Sequence, residues 1–88
     1  MNEVELERGL KVLANRRRLA ILNLLRKKKN ITVGAIAGSM RLSLTATSRH
    51  LNMLERAGFL EKEQRSLEVY YRIAYEPPAV YRALSSTF

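Results

Sequence analysis

The 88-residue chain contains no cysteine, no aspartate and a single histidine. Without cysteine there is no disulfide framework, no thiolate nucleophile and no thiolate metal ligand. With one histidine, no aspartate and no phosphate-cradling glycine loop, the usual acid–base and phosphoryl-transfer constellations are missing, so an enzyme is not expected. The same shortage leaves no set from which one chain would assemble a three- or four-ligand transition-metal site, and no metal or other cofactor is expected. No apolar run approaches the roughly 18 residues of a membrane span. The acidic opening MNEVELERGL is unlike a secretory signal, so a cytoplasmic protein with no membrane partner is the expectation.

Positive charge is what the chain has in quantity. Sixteen Lys and Arg stand against eight Glu, a net charge of +8, which points to a polyanionic partner. The competing explanation is a well-solvated surface, but the basic residues gather near the segment described next. At this length one domain is expected, with a modest core that oligomerisation would enlarge.

Apolar periodicity divides the chain into short helices and then strands. Residues 3–14 place Leu6, Leu10 and Leu13 on one helical stripe, with glutamates in the first turns where the helix dipole favours them. Asn15 can cap a second helix whose face is built from Leu19, Ile21, Leu22, Leu24 and Leu25. Its basic end, Arg26 to Lys29, is explained equally by dipole compensation and by phosphate contact. Val33, Ile36, Ala37 and Met40 form a third face behind a capping Thr32, and Thr47, His50, Leu51, Leu54, Ala57 and Gly58 a fourth behind a capping Ser43. Residues 39–42 between them are a short connection, as a helix-turn-helix requires. From Phe59 the period changes to that of strands, 59–64 and 68–74, with the tip at Arg65, Ser66 and Leu67; no Gly or Asn fixes the turn. Pro77 and Pro78 end the sheet and open a last helix carrying Val80, Tyr81 and Leu84.

The fourth helix has two chemically different faces. Opposite its apolar stripe stand Leu44, Thr45, Ser48, Arg49 and Asn52, donors and acceptors suited to phosphates and base edges in a major groove. An arginine such as Arg49 can grip a guanine edge bidentately or clamp a phosphate; Thr45 and Ser48 offer hydroxyls at the helix start; Asn52 can read adenine or reach only the backbone. Leu44 suits a staple of the helix start better than a thymine methyl contact. His50, beside Leu51, is expected to be packed and hydrogen-bonded rather than catalytic. Lys62 and Arg65 at the wing would reach the adjacent groove or phosphates, or only keep an exposed edge soluble.

The order of elements, helix, helix, helix-turn-helix, hairpin and final helix (ααααββα), resembles the winged helix-turn-helix fold, a mainly α domain with a small β-hairpin. The stretches LKVLANRRRLAILNLL (10–25), LSLTATSRHLNMLERAGFLE (42–61) and VYYRI (69–73) are similar to those of the ArsR-type transcriptional regulators. The resemblance implies a homodimer paired through the first and last helices, binding double-stranded DNA at two half-sites and usually repressing transcription. Residues 1–88 would then be a single DNA-binding domain with terminal dimerisation helices. Leu6, Leu10, Leu13, Val80, Tyr81 and Leu84 are the interface candidates, although the same residues would also close the monomer's core. Two departures stand out. The family's Asp-Pro-Thr-Arg-like helix start is Asn15, Arg16, Arg17 and Arg18 here, and the third helix has Val33 and Ala35, or their neighbours, where metal-sensing members carry cysteines. A regulator that does not sense metal is the expectation; a winged-helix protein-interaction or RNA-associated assembly module is the alternative.

Overall fold

The computed structural model describes residues 2–88, in the order α1 (Glu3–Leu13), α2 (Arg16–Lys27), β1 (Ile31–Thr32), α3 (Val33–Met40), α4 (Leu44–Arg56), β2 (Leu60–Arg65), β3 (Glu68–Ile73) and α5 (Val80–Ser85). Four helices begin with a side-chain oxygen that takes an otherwise orphan backbone N–H. Asn2 accepts from Glu5, Asn15 from Arg17 and Arg18, Thr32 from Ala35 and Ser43 from Ala46, all at 2.9–3.1 Å. The caps at Asn15, Thr32 and Ser43 are those the sequence predicts. α5 has no side-chain cap, and its first turn is closed by the Tyr81 N–H donating to the Pro78 carbonyl.

The connection between α3 and α4 turns on Arg41, which adopts the left-handed conformation (φ 55°) while Leu42 N donates to the Ala37 carbonyl. At the other end of α4 the helix stops at Arg56, and Gly58 takes φ +88°. Gly58 therefore does not continue the apolar helical face as its spacing suggests; it reverses the chain so that Phe59 enters the core, where its side chain is fully buried.

The sheet has three strands, not two. Their order is β1-β3-β2, all antiparallel, and β1 pairs Ile31 with Tyr71 and Thr32 with Tyr70. Two residues are too few to show a strand period, which is why the sequence gives 31–32 only as a helix start. In the hairpin Leu60 faces Ile73 and Arg65 faces Glu68, so the strands lie one residue from the predicted β2 and end earlier in β3. Ser66 supplies the left-handed residue (φ 59°) that a glycine would ordinarily provide, and Leu67 at the tip is 95% exposed.

The core is formed by Ile21, Leu22 and Leu25 of α2, Ile36 of α3, Leu51 and Leu54 of α4, Phe59, Leu60 and Tyr71. Leu13 and Tyr81 join it, so these two interface candidates are committed to the interior of the protomer. Leu6 and Leu10 are not: they stand 40% and 48% exposed on α1, with Val80 and Leu84 half-buried at the packed edge of α5. Among the described residues no helix is long and apolar enough to cross a membrane.

Candidate nucleic-acid interface

The placement of α4 follows from its buried stripe. Thr47, Leu51 and Leu54 have no exposed surface, which fixes the rotation of the helix and turns the opposite face outward. On that face Leu44, Thr45, Arg49 and Asn52 are exposed and Ser48 is half-buried. The structure thus brings together the four α4 residues expected from sequence. Ser43 is occupied as the cap and Thr47 is wholly internal, so the free hydroxyls of this helix start are those of Thr45 and Ser48.

Lys62 and Arg65 also lie on the outer surface, but neither is free of partners. Lys62 Nζ is 4.0 Å from Glu55, and Arg65 sits 3.1 Å from Glu63 with its guanidinium 4.7 Å from the centre of the Tyr70 ring. Arg72 completes the set by bridging Glu61 at 3.3 Å and Glu63 at 3.5 Å. The hydrogen bond from Arg65, and then its charge, hold the Glu63 carboxyl below its ordinary range. The wing is therefore a charge-balanced ribbon, whereas Arg49 has no carboxylate partner among the described residues.

One residue that packs against α4 was not singled out by sequence reasoning. Arg18, the third residue of α2, is only 8% exposed. Its Nε donates to the Val12 carbonyl, and its NH1 lies 3.3 Å from His50 Nδ1 and 3.4 Å from Met53 Sδ. The signal was present in its spacing, since Arg18 precedes Leu22 and Leu25 at i+4 and i+7, but its charge argued for solvent. Because a guanidinium only donates, His50 Nδ1 accepts, which puts the imidazole proton on Nε2. Burial first, and then the charges of Arg18, Arg17 and Arg49, push the His50 pKa below its usual value. His50 is packed and hydrogen-bonded, as its sequence position suggests.

The third helix carries no ligand set. Among the described residues no group of three or more His, Cys, Asp or Glu side chains is placed to hold a metal ion.

Comparison with known proteins supports the same assignment. Residues 15–61 match the winged helix-turn-helix DNA-binding family. The chain is 42% identical over 69 residues to the HTH-type transcriptional regulator Rv0324 of Mycobacterium tuberculosis, a match that takes in 78% of this chain but only 30% of that protein's length. It is 33% identical over 81 residues to the transcriptional activator HlyU of Vibrio cholerae, covering 84% of this chain and 74% of HlyU. Among solved structures, the homodimeric winged helix-turn-helix DNA-binding domain of a possible ArsR-family transcriptional regulator from Mycobacterium bovis superposes with a TM-score of 0.81 at 36% identity, over 94% of this chain and 74% of that one. With the outer face of α4 exposed, a hairpin wing beside it and these relatives, the chain belongs to the winged helix-turn-helix DNA-binding family, among the ArsR-type transcriptional regulators, and it carries no cysteine.

Proposed function

We propose that this chain works as a homodimeric, sequence-specific repressor that binds double-stranded DNA, senses no metal, needs no cofactor and acts in the cytoplasm. The observation that carries the reading is the two-sidedness of α4, fully buried along Thr47, Leu51 and Leu54 and exposed along Thr45, Arg49 and Asn52. In a major groove Arg49 takes a guanine edge, Asn52 an adenine or the backbone, and Thr45 and Ser48 hydroxyls take phosphates or bases. Lys62 and Arg65 approach the neighbouring minor groove from the wing.

A helix this short offers few base contacts, and a two-fold dimer doubles them over half-sites spaced by whole turns of DNA. Leu6 and Leu10 form the exposed centre of the proposed seam, extended by Val80 and Leu84, with Leu13 and Tyr81 bracing α1 and α5 from within. Residues 1–88 then act as one reading unit with its dimerisation helices at the termini. Repression needs nothing beyond occupancy of the promoter. No chemistry is assigned to the chain.

The deciding experiment compares affinity for the duplex upstream of its own gene with affinity for a scrambled duplex over a salt series. A preference of roughly 10³ or more that persists as salt rises is expected. Equal binding to both duplexes would overturn the reading in favour of a nonspecific or assembly role.

A further inference from the structure

The two flanks of α4 differ sharply in charge. On the wing side Lys62, Arg65 and Arg72 each share a carboxylate. On the other side lies the start of α2, where Arg16 and Arg17 are exposed, have no carboxylate partner among the described residues, and face no acidic residue in their own first turn. Cations in a first helical turn oppose the helix dipole, so this pair costs α2 some stability and has no local structural use.

Its position is set by the buried third arginine. Arg18 reaches across to His50 and Met53, and Met53 follows Arg49 by one helical turn, so the α2 start is anchored against the same edge of α4 from which Arg49 projects. Asn15 fixes the turn itself by accepting from the backbone N–H groups of Arg17 and Arg18, and the Arg16 and Arg17 side chains are exposed to solvent. The field of Arg17 reaches the His50 ring together with that of Arg49, so the two charges border one region.

We propose that Arg16 and Arg17 form a phosphate clamp that continues the DNA interface beyond α4 on the side away from the wing. The proposal rests on the DNA-binding reading and deepens it. Guanidinium groups without protein partners release condensed counterions on meeting phosphates, whereas wing cations must first share or give up a carboxylate. The α2 start would then supply the larger sequence-independent grip, and α4 the discrimination between sequences.

The test is fluorescence anisotropy of the full chain on the upstream and scrambled duplexes between about 50 and 300 mM salt. R16Q/R17Q should flatten the plot of log affinity against log salt by roughly 0.9 for each lost phosphate contact, nearly two for each protomer and twice that for a dimer on both half-sites, and weaken both duplexes by the same factor. R82A, on exposed Arg82 of α5, is the control and should leave the slope as it is. R16E/R17E should raise the melting temperature while lowering DNA affinity, a pairing of opposite signs that a purely structural role would not produce. An unchanged salt slope in R16Q/R17Q, with the parent chain binding normally, overturns the clamp alone. Failure of the parent chain to bind either duplex removes the DNA reading and the clamp with it.

Discussion

Arg18 NH1 lies 3.3 Å from His50 Nδ1, joining the first turn of α2 to the middle of α4 across 32 positions of sequence. No carboxylate among the described residues shares this guanidinium, so the contact depends on an imidazole that accepts and stays neutral. The same arginine donates to the Val12 carbonyl, so one side chain ties the end of α1, the start of α2 and α4 together. Protonation of His50 would remove the acceptor of this contact, because both imidazole nitrogens would then be donors.

Stability should therefore fall in mild acid. The folded-state pKa of His50 lies below 6.5, its ordinary value, owing to burial and then to the neighbouring arginines. Above 6.5 the ring is neutral whether the chain is folded or not, and the contribution is complete. As pH drops below 6.5 the unfolded chain takes up a proton that the folded chain refuses, so stability declines until the folded-state pKa has been passed. Urea melts between pH 7.5 and 5 should show this decline in the parent chain and a flatter profile in H50Q. Identical profiles would mean that His50 does not govern it.

Substitution of Arg49 tells a base contact from a phosphate contact. R49A should cost about 1–3 kcal/mol on the specific duplex, the range of a bidentate base contact, and much less on a scrambled one. Equal losses, measured as paired dissociation constants, would reduce Arg49 to a phosphate contact.

The exposed pair on α1 reports on assembly. L6E/L10E places two charges in the proposed seam, and sedimentation equilibrium at micromolar concentration should give a monomer where the parent chain gives a dimer. Circular dichroism should stay unchanged, because both side chains already face solvent in the protomer. A parent chain that is itself monomeric would defeat the two-half-site mechanism.

Gly58 is a backbone prediction. A Cβ there would meet the Pro78 ring no closer than 3.7 Å, so space is not the obstacle; the positive φ of 88° is. G58A should destabilise the fold by about 1–2 kcal/mol, which in a domain of this size lowers the midpoint by roughly 4–8 °C per kcal/mol. Thermal denaturation followed by circular dichroism measures it.

The helices were legible because their causes are local. Asn15, Thr32 and Ser43 cap where they were expected, and Leu51 and Leu54 point inward at helical spacing. What escaped depended on partners far along the chain or on backbone conformation. β1 exists only because Ile31 and Thr32 meet Tyr71 and Tyr70, some 40 positions on. The hairpin register depends on Ser66 accepting a left-handed conformation that composition would assign to glycine. Arg18 was hidden by its own charge, since only the tertiary contact with His50 and Met53 explains why an arginine turns inward. Within the candidate site the α4 residues could be found from periodicity, while the carboxylates beside Lys62 and Arg65 could not, because the helix-to-strand pair with Glu55 and the same-face pair with Glu63 require the strand placement to be known.

β1 has a mechanical consequence. Thr32 pairs with Tyr70 in the sheet through its backbone and, through its side chain, receives the Ala35 N–H that starts α3. The wing and the helix-turn-helix are thus joined by hydrogen bonding at Thr32 as well as by the shared core of Leu51, Leu54, Leu60 and Tyr71 and the Lys62–Glu55 pair. The wing therefore cannot swing as a free flap: moving it relative to α3 and α4 would have to break the pairing at Thr32 and disturb the core they share.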